Sequence, residues 1–247
     1  TLEKQFPQTQ FEWRVLSNGA TIRDGMIADQ IQIGAGGTAP FLIGWDKGVN
    51  WRLLTALNKM DLWLMAKNEH IKSLRDFTTD MKIGVPAPDS MLALVVQKGA
   101  QKELGNAHAL DSHLISIAQP LGAQSLLNGQ LAAHMTSPPY QFQEADAGAR
   151  PILKSSDLFG DISFDSVFVR QNFYDQYTDF CKKLYQDIAD ATTLINTHPE
   201  QAAQMLSQDQ QGQVSATTFK SWLTAPKVTF DTVPAGFIAC AQFMHSI

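Results

Sequence analysis

"QIQIGAGGTAPFLIG", residues 30–44, decides how the rest of the chain is read. A short alternating run, Ile31 and Ile33 about Gln32, ends in Gly34, Gly36 and Gly37. Thr38, Ala39 and Pro40 then open an apolar helix, with Pro in the first turn, where its missing N–H is not needed. At a helix start the first N–H groups have no intrahelical partner and carry partial positive charge. Bare glycines let another group approach that backbone closely. Gly36, Gly37 and Thr38 are therefore a candidate anion cradle, with a plain strand-to-helix turn as the alternative. The stretch is not a nucleotide-binding loop: it lacks both Gly-Lys-Ser/Thr and the G-x-G-x-x-G spacing.

Outward from this stretch, apolar periods of 2 and about 3.6 alternate. Strands are expected at Thr9–Leu16 ("FEWRVLS"), "IQIGA", "WRLLTALN", "DLWLMAKN", "MKIGVP", "ALDSHLISI", "LAAHMTS", "RPILKSS" and "SFDSVFV". Helices are expected near Ala20–Ala28, Thr38–Lys47, Asp89–Leu104, Leu121–Leu127 and Pro138–Ala147, with a short one capped by Ser73 and a turn near Asn58-Lys59. After Asn172 the pattern reads as wholly helical. Tyr177, Phe180, Cys181, Leu184, Ile188, Ala191 and Ile195 form one stripe, and His198-Pro199 breaks it. Strands alternating with helices predict α/β layers with mostly parallel sheet.

The chain also echoes itself. Residues 25–41 align loosely with 125–141, an offset of 100, with Gln30 on Gln130 and Gly36-Gly37 on Thr136-Ser137. That predicts two similar lobes, each with a small-residue loop at the carboxyl end of a strand, where open α/β sheets bind ligands. Other candidate loops are "IGVPAPDSMLAL", with Asp89 or Ser90 starting a helix; "HMTSPPY", with the Thr136 and Ser137 hydroxyls; Ser17-Asn18-Gly19; and "SFDSVFV", where Asp165 needs a partner or a ligand. His134 is the one histidine beside such a loop. Trp45, Trp51 and Trp63 read as packing residues.

The 247 residues carry a net charge of −5, which gives no basic footprint for nucleic acid. Apolar residues make up 44%, ordinary for a globular chain. Catalytic and metal signatures are missing: no G-x-S-x-G, no H-E-x-x-H, no Cys/His cluster, so no catalytic residue, metal or cofactor is expected. The two cysteines, Cys181 and Cys240, read as buried thiols, with a disulfide between their helices as the alternative. The opening "TLEKQF" reads as a helix end without a signal segment, which leads us to expect upstream sequence absent from this chain.

"GMIADQIQIGAGGTAPFLIG", "KIGVPAPDSMLAL", "LLNGQLAAHMTSPPYQFQEADAGARPIL", "LINTHPEQAAQML" and "AQFMHSI", in that order, resemble the ABC-transporter solute-binding proteins of the aliphatic-sulfonate, taurine and nitrate type, whose superfamily includes thiamine-pyrimidine binders. The resemblance implies a two-lobed type II periplasmic-binding-protein fold. Lobe 1 would be residues 1–66 and 170–247 and lobe 2 residues 67–169, with crossings near Met65–Asn68 and Val167–Arg170. Each lobe would be a mostly parallel sheet flanked by helices. It implies no enzyme activity and no cofactor. Its function would be to bind a small anion or zwitterion for an ABC permease and its ATPase, as an extracytoplasmic monomer with or without a lipid anchor. Ligand contacts carry over to Gly36, Gly37, Thr38, Ser90, Thr136, Ser137 and Asp165, with Ser17 and Asn18 reaching the cleft. Two departures stand out: the family's first strand and its loop are missing, and Gln32 replaces an Asp. A pyrimidine-synthesising enzyme of the same fold would carry a Cys-rich run, which this chain lacks. A ligand-sensing module remains the third alternative.

Overall fold

A computed structural model describes residues 2–247. In chain order its elements are α1 (Leu2–Gln5), α2 (Gly19–Ile27), β1 (Ile33–Gly37), α3 (Thr38–Asp46), β2 (Trp51–Ala56), β3 (Asn58–Met60), β4 (Trp63–Ala66), β5 (Ile83–Val85), α4 (Met91–Leu104), β6 (Leu114–Ser116), α5 (Gln119–Leu127) and β7 (Ala133–Thr136). There follow α6 (Tyr140–Asp146), β8 (Arg150–Lys154), α7 (Ser156–Phe159), β9 (Asp165–Arg170), α8 (Gln171–Gln176), α9 (Thr178–Thr197), α10 (Pro199–Asp209), α11 (Ala216–Leu223), β10 (Val228–Phe230) and α12 (Phe237–Ser246). Two lobes result. One is built on the sheet β1-β9-β2, the other on β6-β5-β7-β4-β8, and β10-β3 forms a small third sheet.

The echo at an offset of 100 is structural. After α2, the N–H groups of Gln30 and Ile31 both reach Gly25 O, at 2.9 and 3.2 Å; after α5, those of Gln130 and Leu131 both reach Ser125 O, at 2.8 and 3.2 Å. After α3, Gly48 bonds to Trp45 and Val49 to Gly44; after α6, Gly148 bonds to Ala145 and Ala149 to Glu144. The sheets agree: β1-β9-β2 has the same order and directions as β7-β4-β8, with the strand from the other crossing in the middle. Packing is compensated between the copies. A Cβ on Gly122 would collide with the His134 ring, and one on Gly34 would collide with Ile22. Each lobe thus places one glycine in this pair of positions, on opposite partners.

In each lobe's sheet the strands run one way except the crossing strand, which runs against the rest. β6, β5, β7 and β8 run one way and β4 against them; β1 and β2 run one way and β9 against them. The chain changes sheet between Ala56 and Trp63 and returns between Lys154 and Asp165, so the expected crossings at Met65–Asn68 and Val167–Arg170 fall within or just after β4 and β9. Asn58-Lys59 is not a turn but part of β3, which pairs with β10, a strand inside the tail expected to be all helical. "ALDSHLISI" is a 3-10 turn over Ala107–His113 followed by β6.

"FEWRVLS" forms no strand. By the repeat it corresponds to the end of the 3-10 turn and to β6, and β6 pairs only with β5. Lobe 1 has no counterpart of β5 among the described residues, so this stretch has no ladder to join, and Trp13 and Val15 are exposed. The cores differ accordingly. Lobe 2 centres on Leu64, Ile83, Val95, Ala133 and Met135, whereas lobe 1 closes on Met26, Phe41, Trp51 and Phe168, with Phe41 stacked 4.4 Å from Phe168. On α9 only Cys181 of the predicted stripe is buried. Both cysteines are free and buried.

Candidate functional site

The glycine turn ends β1 and starts α3. Gly37 caps the helix with φ −69° and ψ 155°, ordinary extended backbone, so glycine is not needed there for its dihedral freedom. Its small size leaves the turn closely approached. A Cβ on Gly36 would lie 3.4 Å from Gly19 Cα, and one on Gly37 would lie 3.3 Å from Met91 Cβ. The first contact brings the Ser17-Asn18-Gly19 loop of lobe 1 onto the turn. The second brings α4 of lobe 2 onto it, so the N-terminal ends of α3 and α4 meet where the lobes touch.

The hydroxyls at this junction are largely engaged within the protein. Thr38 is buried and donates Oγ1–H to Ser163 O at 2.8 Å, tying α3 to the returning crossing. Ser90 Oγ accepts from Ala93 N at 3.2 Å as the N-cap of α4. Asn18 Oδ1 accepts from Thr21 N at 3.0 Å as the cap of α2, and its Nδ2 donates to Ser17 Oγ. Thr136 is fully buried and donates to Gln119 Oε1 at 2.8 Å, holding the start of α5 against β7. Ser137, also buried, accepts from Gln141 N through its carbonyl, and Gln141 in turn donates to Asp61 O in the first crossing. Thr136 and Ser137 lie at the carboxyl end of β7, beside the 86–90 loop that leaves β5.

Asp165 opens β9 directly opposite Gly37. Its N–H donates to Asn58 Oδ1 at 3.2 Å, and its carbonyl accepts from Leu57 N. Burial pushes its carboxyl up to about 6, against the Asn58 side chain, which pulls it down. No cation is paired with it among the described residues.

The residue that composition and motif left unmarked is Arg23. From α2 of lobe 1 it reaches Asp89 of lobe 2 at 2.6 Å, and it also holds Asp24 at 2.9 Å. Its side chain is only 10% exposed; burial opposes its charge, and the two carboxylates outweigh burial and hold its pKa above the usual range. Arg23 borders a water-sized gap beside Gly36, Gly37 and the unpartnered Trp51 indole N–H. No local pattern marks this pair, since its partners lie 66 residues apart. A second, larger cavity of about 210 Å³ lies between Ala39 and Ile43 of α3, Pro88–Ser90 and Leu94 of lobe 2, and Met244 of α12.

His134 faces the interior. Its Nδ1 lies 2.6 Å from Glu144 Oε1, both side chains are fully buried, and its ring abuts Gly122. Trp45, read as a packing residue, is 59% exposed, while Trp51 belongs to the lobe 1 core. No group of three or more His, Cys, Asp or Glu among the described residues could hold a metal ion, and no helix among them is long and apolar enough to cross a membrane.

A family model described as the NMT1-like family matches residues 3–208. No curated protein matches the sequence. Among solved structures, the chain is similar to the periplasmic aliphatic sulphonate binding protein of Escherichia coli, at 17% identity and TM-score 0.72, over 99% of this chain and 83% of that one. It is similar to the alkanesulfonate-binding protein of Xanthomonas axonopodis pv. citri bound to MOPS, at 16% identity and TM-score 0.75, over 99% and 84%. It is also similar to a Candida albicans protein described as having the generic periplasmic binding protein fold, at 14% identity and TM-score 0.67, over 93% and 77%. At these identities the likeness is one of fold: two α/β lobes of the type II periplasmic-binding-protein kind.

Proposed function

The chain belongs to the NMT1-like family, and from that premise we propose that it is an extracytoplasmic solute-binding component of an ABC import system. Its ligand is a small anionic or zwitterionic solute, sulfonate-, taurine- or nitrate-like, held between the lobes. The observation that carries this reading is the meeting of two helix N-termini, at Gly37-Thr38 and Ser90-Met91, beside a largely buried arginine. Helix N-termini favour negative charge, and bonds to a charged ligand are about twice as strong as neutral ones. The acidic net charge of −5 gives no long-range attraction for an anion, so local donors must select it. Two of the similar structures are, by their own descriptions, sulfonate binders.

In this reading the anion enters when the lobes part. It takes donors from Gly37 and Thr38 on one side and from Ser90, Thr136 and Ser137 on the other, the Thr38 and Thr136 hydroxyls giving up Ser163 O and Gln119 Oε1 for it, with Gly36 leaving space at the turn and Ser17 and Asn18 at the rim. It replaces Asp89 as the partner of Arg23 and draws the lobes closed by bridging them. Asp165, opposite Gly37, takes the ammonium of a zwitterion. The closed form is what a membrane permease with its ATPase would engage. One feature favours a second ligand class, an aminopyrimidine such as a thiamine precursor: a carboxyl titrating near 6 suits a ring that both donates and accepts.

The test is a thermal-shift screen of alkanesulfonates, taurine, nitrate and aminopyrimidines. A true ligand at 100 times its Kd should add roughly 2.7 kcal/mol of stability. Stabilisation by a sulfonate or taurine supports the first class and by an aminopyrimidine alone the second. No shift with any of them overturns both.

A further inference from the structure

Hydrogen bonds mark where each crossing passes from one lobe to the other. On the way out, Leu57 N–H donates to Asp165 O, and β3 pairs with β10, whose end is tied to β2 by Ala56 N–H on Thr232 O. Lys59 holds Asp231 at 2.6 Å and bridges to Ser163. Asp61 N–H still belongs to this side, donating to Lys227 O at 3.1 Å. The remaining polar groups of Asp61 are held by lobe 2. Its carbonyl accepts from Gln141 Nε2 at 3.0 Å. Its Oδ1 accepts from Ser156 N at 2.9 Å and Ser155 Oγ at 3.2 Å, and its Oδ2 from Trp63 Nε1 at 2.7 Å. A buried carboxylate is costly unless bonded, and these three donors fix this one in place. Leu62, next in the chain, bonds both ways with Ser155, each at 2.9 Å.

On the way back, Gly160 N–H donates to Ser156 O, and Ser163 N–H donates to Ala235 O while its carbonyl takes the Thr38 hydroxyl of lobe 1. Between these holds, Asp161 N–H has no backbone acceptor among the described residues. Gly160 has φ 68° and ψ −146°, a region essentially closed to other residues, with nothing within 4 Å of where a Cβ would stand. Glycine is needed there for its backbone freedom and not for space.

We infer that the lobes turn on two joints, Asp61 and Gly160, and that the bonds around the Asp61 carboxylate narrow the first joint to one residue. Lobe 1 carries the Asp61 N–H, and lobe 2 carries its side chain and carbonyl. The turning bond is therefore N–Cα, one of the two soft dihedrals of the residue. The second joint turns because glycine's backbone does, as hinge positions at element ends commonly do. The same bonds tie a loop to the first joint: Ser137 O accepts from Gln141 N at 3.3 Å, and Gln141 Nε2 holds Asp61 O. Displacing the Ser137 loop thus pulls on the residue about which the lobes rotate.

The test is residual dipolar couplings of the backbone amides, measured on the whole chain as wild type and as Asp89→Asn, which frees Arg23 from lobe 2. In Asp89→Asn the amides of β1, β2, β3, β9, β10 and Asp61 should fit one alignment frame. Those from Leu62 through α7 should fit a second, turned from its wild-type orientation, with the change of frame at Asp61 and at Gly160–Asp161. Adding Asp61→Asn to that variant removes one acceptor, because an amide nitrogen cannot take both the Ser156 N–H and the Trp63 indole N–H. The Trp63 indole proton or the Ser156 amide proton should then move upfield. The couplings of one frame should shrink against the other as the joint loosens, while each lobe still fits its own frame, which shows that both remain folded. The inference is overturned if the frames change elsewhere, such as at Met65–Asn68. It is also overturned if all three proteins keep one mutual orientation, or if Asp61→Asn leaves those proton signals and the ratio of couplings unchanged.

Discussion

Replacing Asp89 by Asn removes the carboxylate through which lobe 2 holds Arg23 of lobe 1. The pair is 2.6 Å apart, with the arginine side chain 10% and the aspartate 36% exposed. A hydrogen bond to a charged group contributes about 1.5–3 kcal/mol. Solvent at Asp89 and the second carboxylate at Asp24 reduce that here, and about 1.4 kcal/mol is expected, a factor of ten in an equilibrium constant. The assay is a double-mutant cycle of Arg23→Met and Asp89→Asn by urea unfolding, which isolates the pairwise contribution. The coupling should fall in 1 M salt, where the Debye length is about 3 Å. Small-angle scattering should show Asp89→Asn with a larger radius of gyration as the lobes part. A coupling within error of zero, with unchanged scattering, would refute the idea that this pair latches the lobes.

Other consequences can be checked separately. Gly122→Ala drives a methyl group into the buried His134 ring and should cost about 1–3 kcal/mol in urea unfolding; a loss under about 0.5 kcal/mol would count against the packing described. Gly34→Ala should cost a similar amount through Ile22, and Ile22→Ala in that background should recover part of it. Asp165, with its carboxyl pushed up to about 6, binds its proton more tightly folded than unfolded, so its contribution to stability improves as pH falls through 6 toward 4. Asp165→Asn should therefore stabilise the ligand-free protein at pH 7.5 by about 1–2 kcal/mol, after discounting for its partial exposure, and by less at pH 5. Equal effects at both pH values would contradict this. Burial pushes the Cys240 thiol up to about 12 and raises Cys181 as well, so neither should react with a thiol reagent until the chain unfolds.

Much of this was legible in the sequence because it is local. The helix starts at Thr38 and Ser90, the strand before each loop and the echo between residues 25–41 and 125–141 follow from period, cap and proline position, and the echo reappears in the matching turns after α2 and α5. The errors arose where a segment's state depends on a distant partner. "FEWRVLS" has the alternation of a strand, but alternation makes a strand only beside another strand. Asn58-Lys59 resembles a turn, yet β10 lies beside it, contributed from residues 228–230. The acceptors that hold the Thr38 and Thr136 hydroxyls, Ser163 O and Gln119 Oε1, are likewise visible only in three dimensions. Arg23 was missed for the same reason, since its importance comes from Asp89 in the other lobe.

The account depends on one small anion being gripped between the start of α3 and the start of α4. The most direct measurement is an amide NMR titration of the whole chain with a short alkanesulfonate. The amides of Gly37, Thr38, Ser90 and Met91 should move together along one saturating curve. Saturable binding that shifts amides elsewhere and leaves these four in place would contradict it.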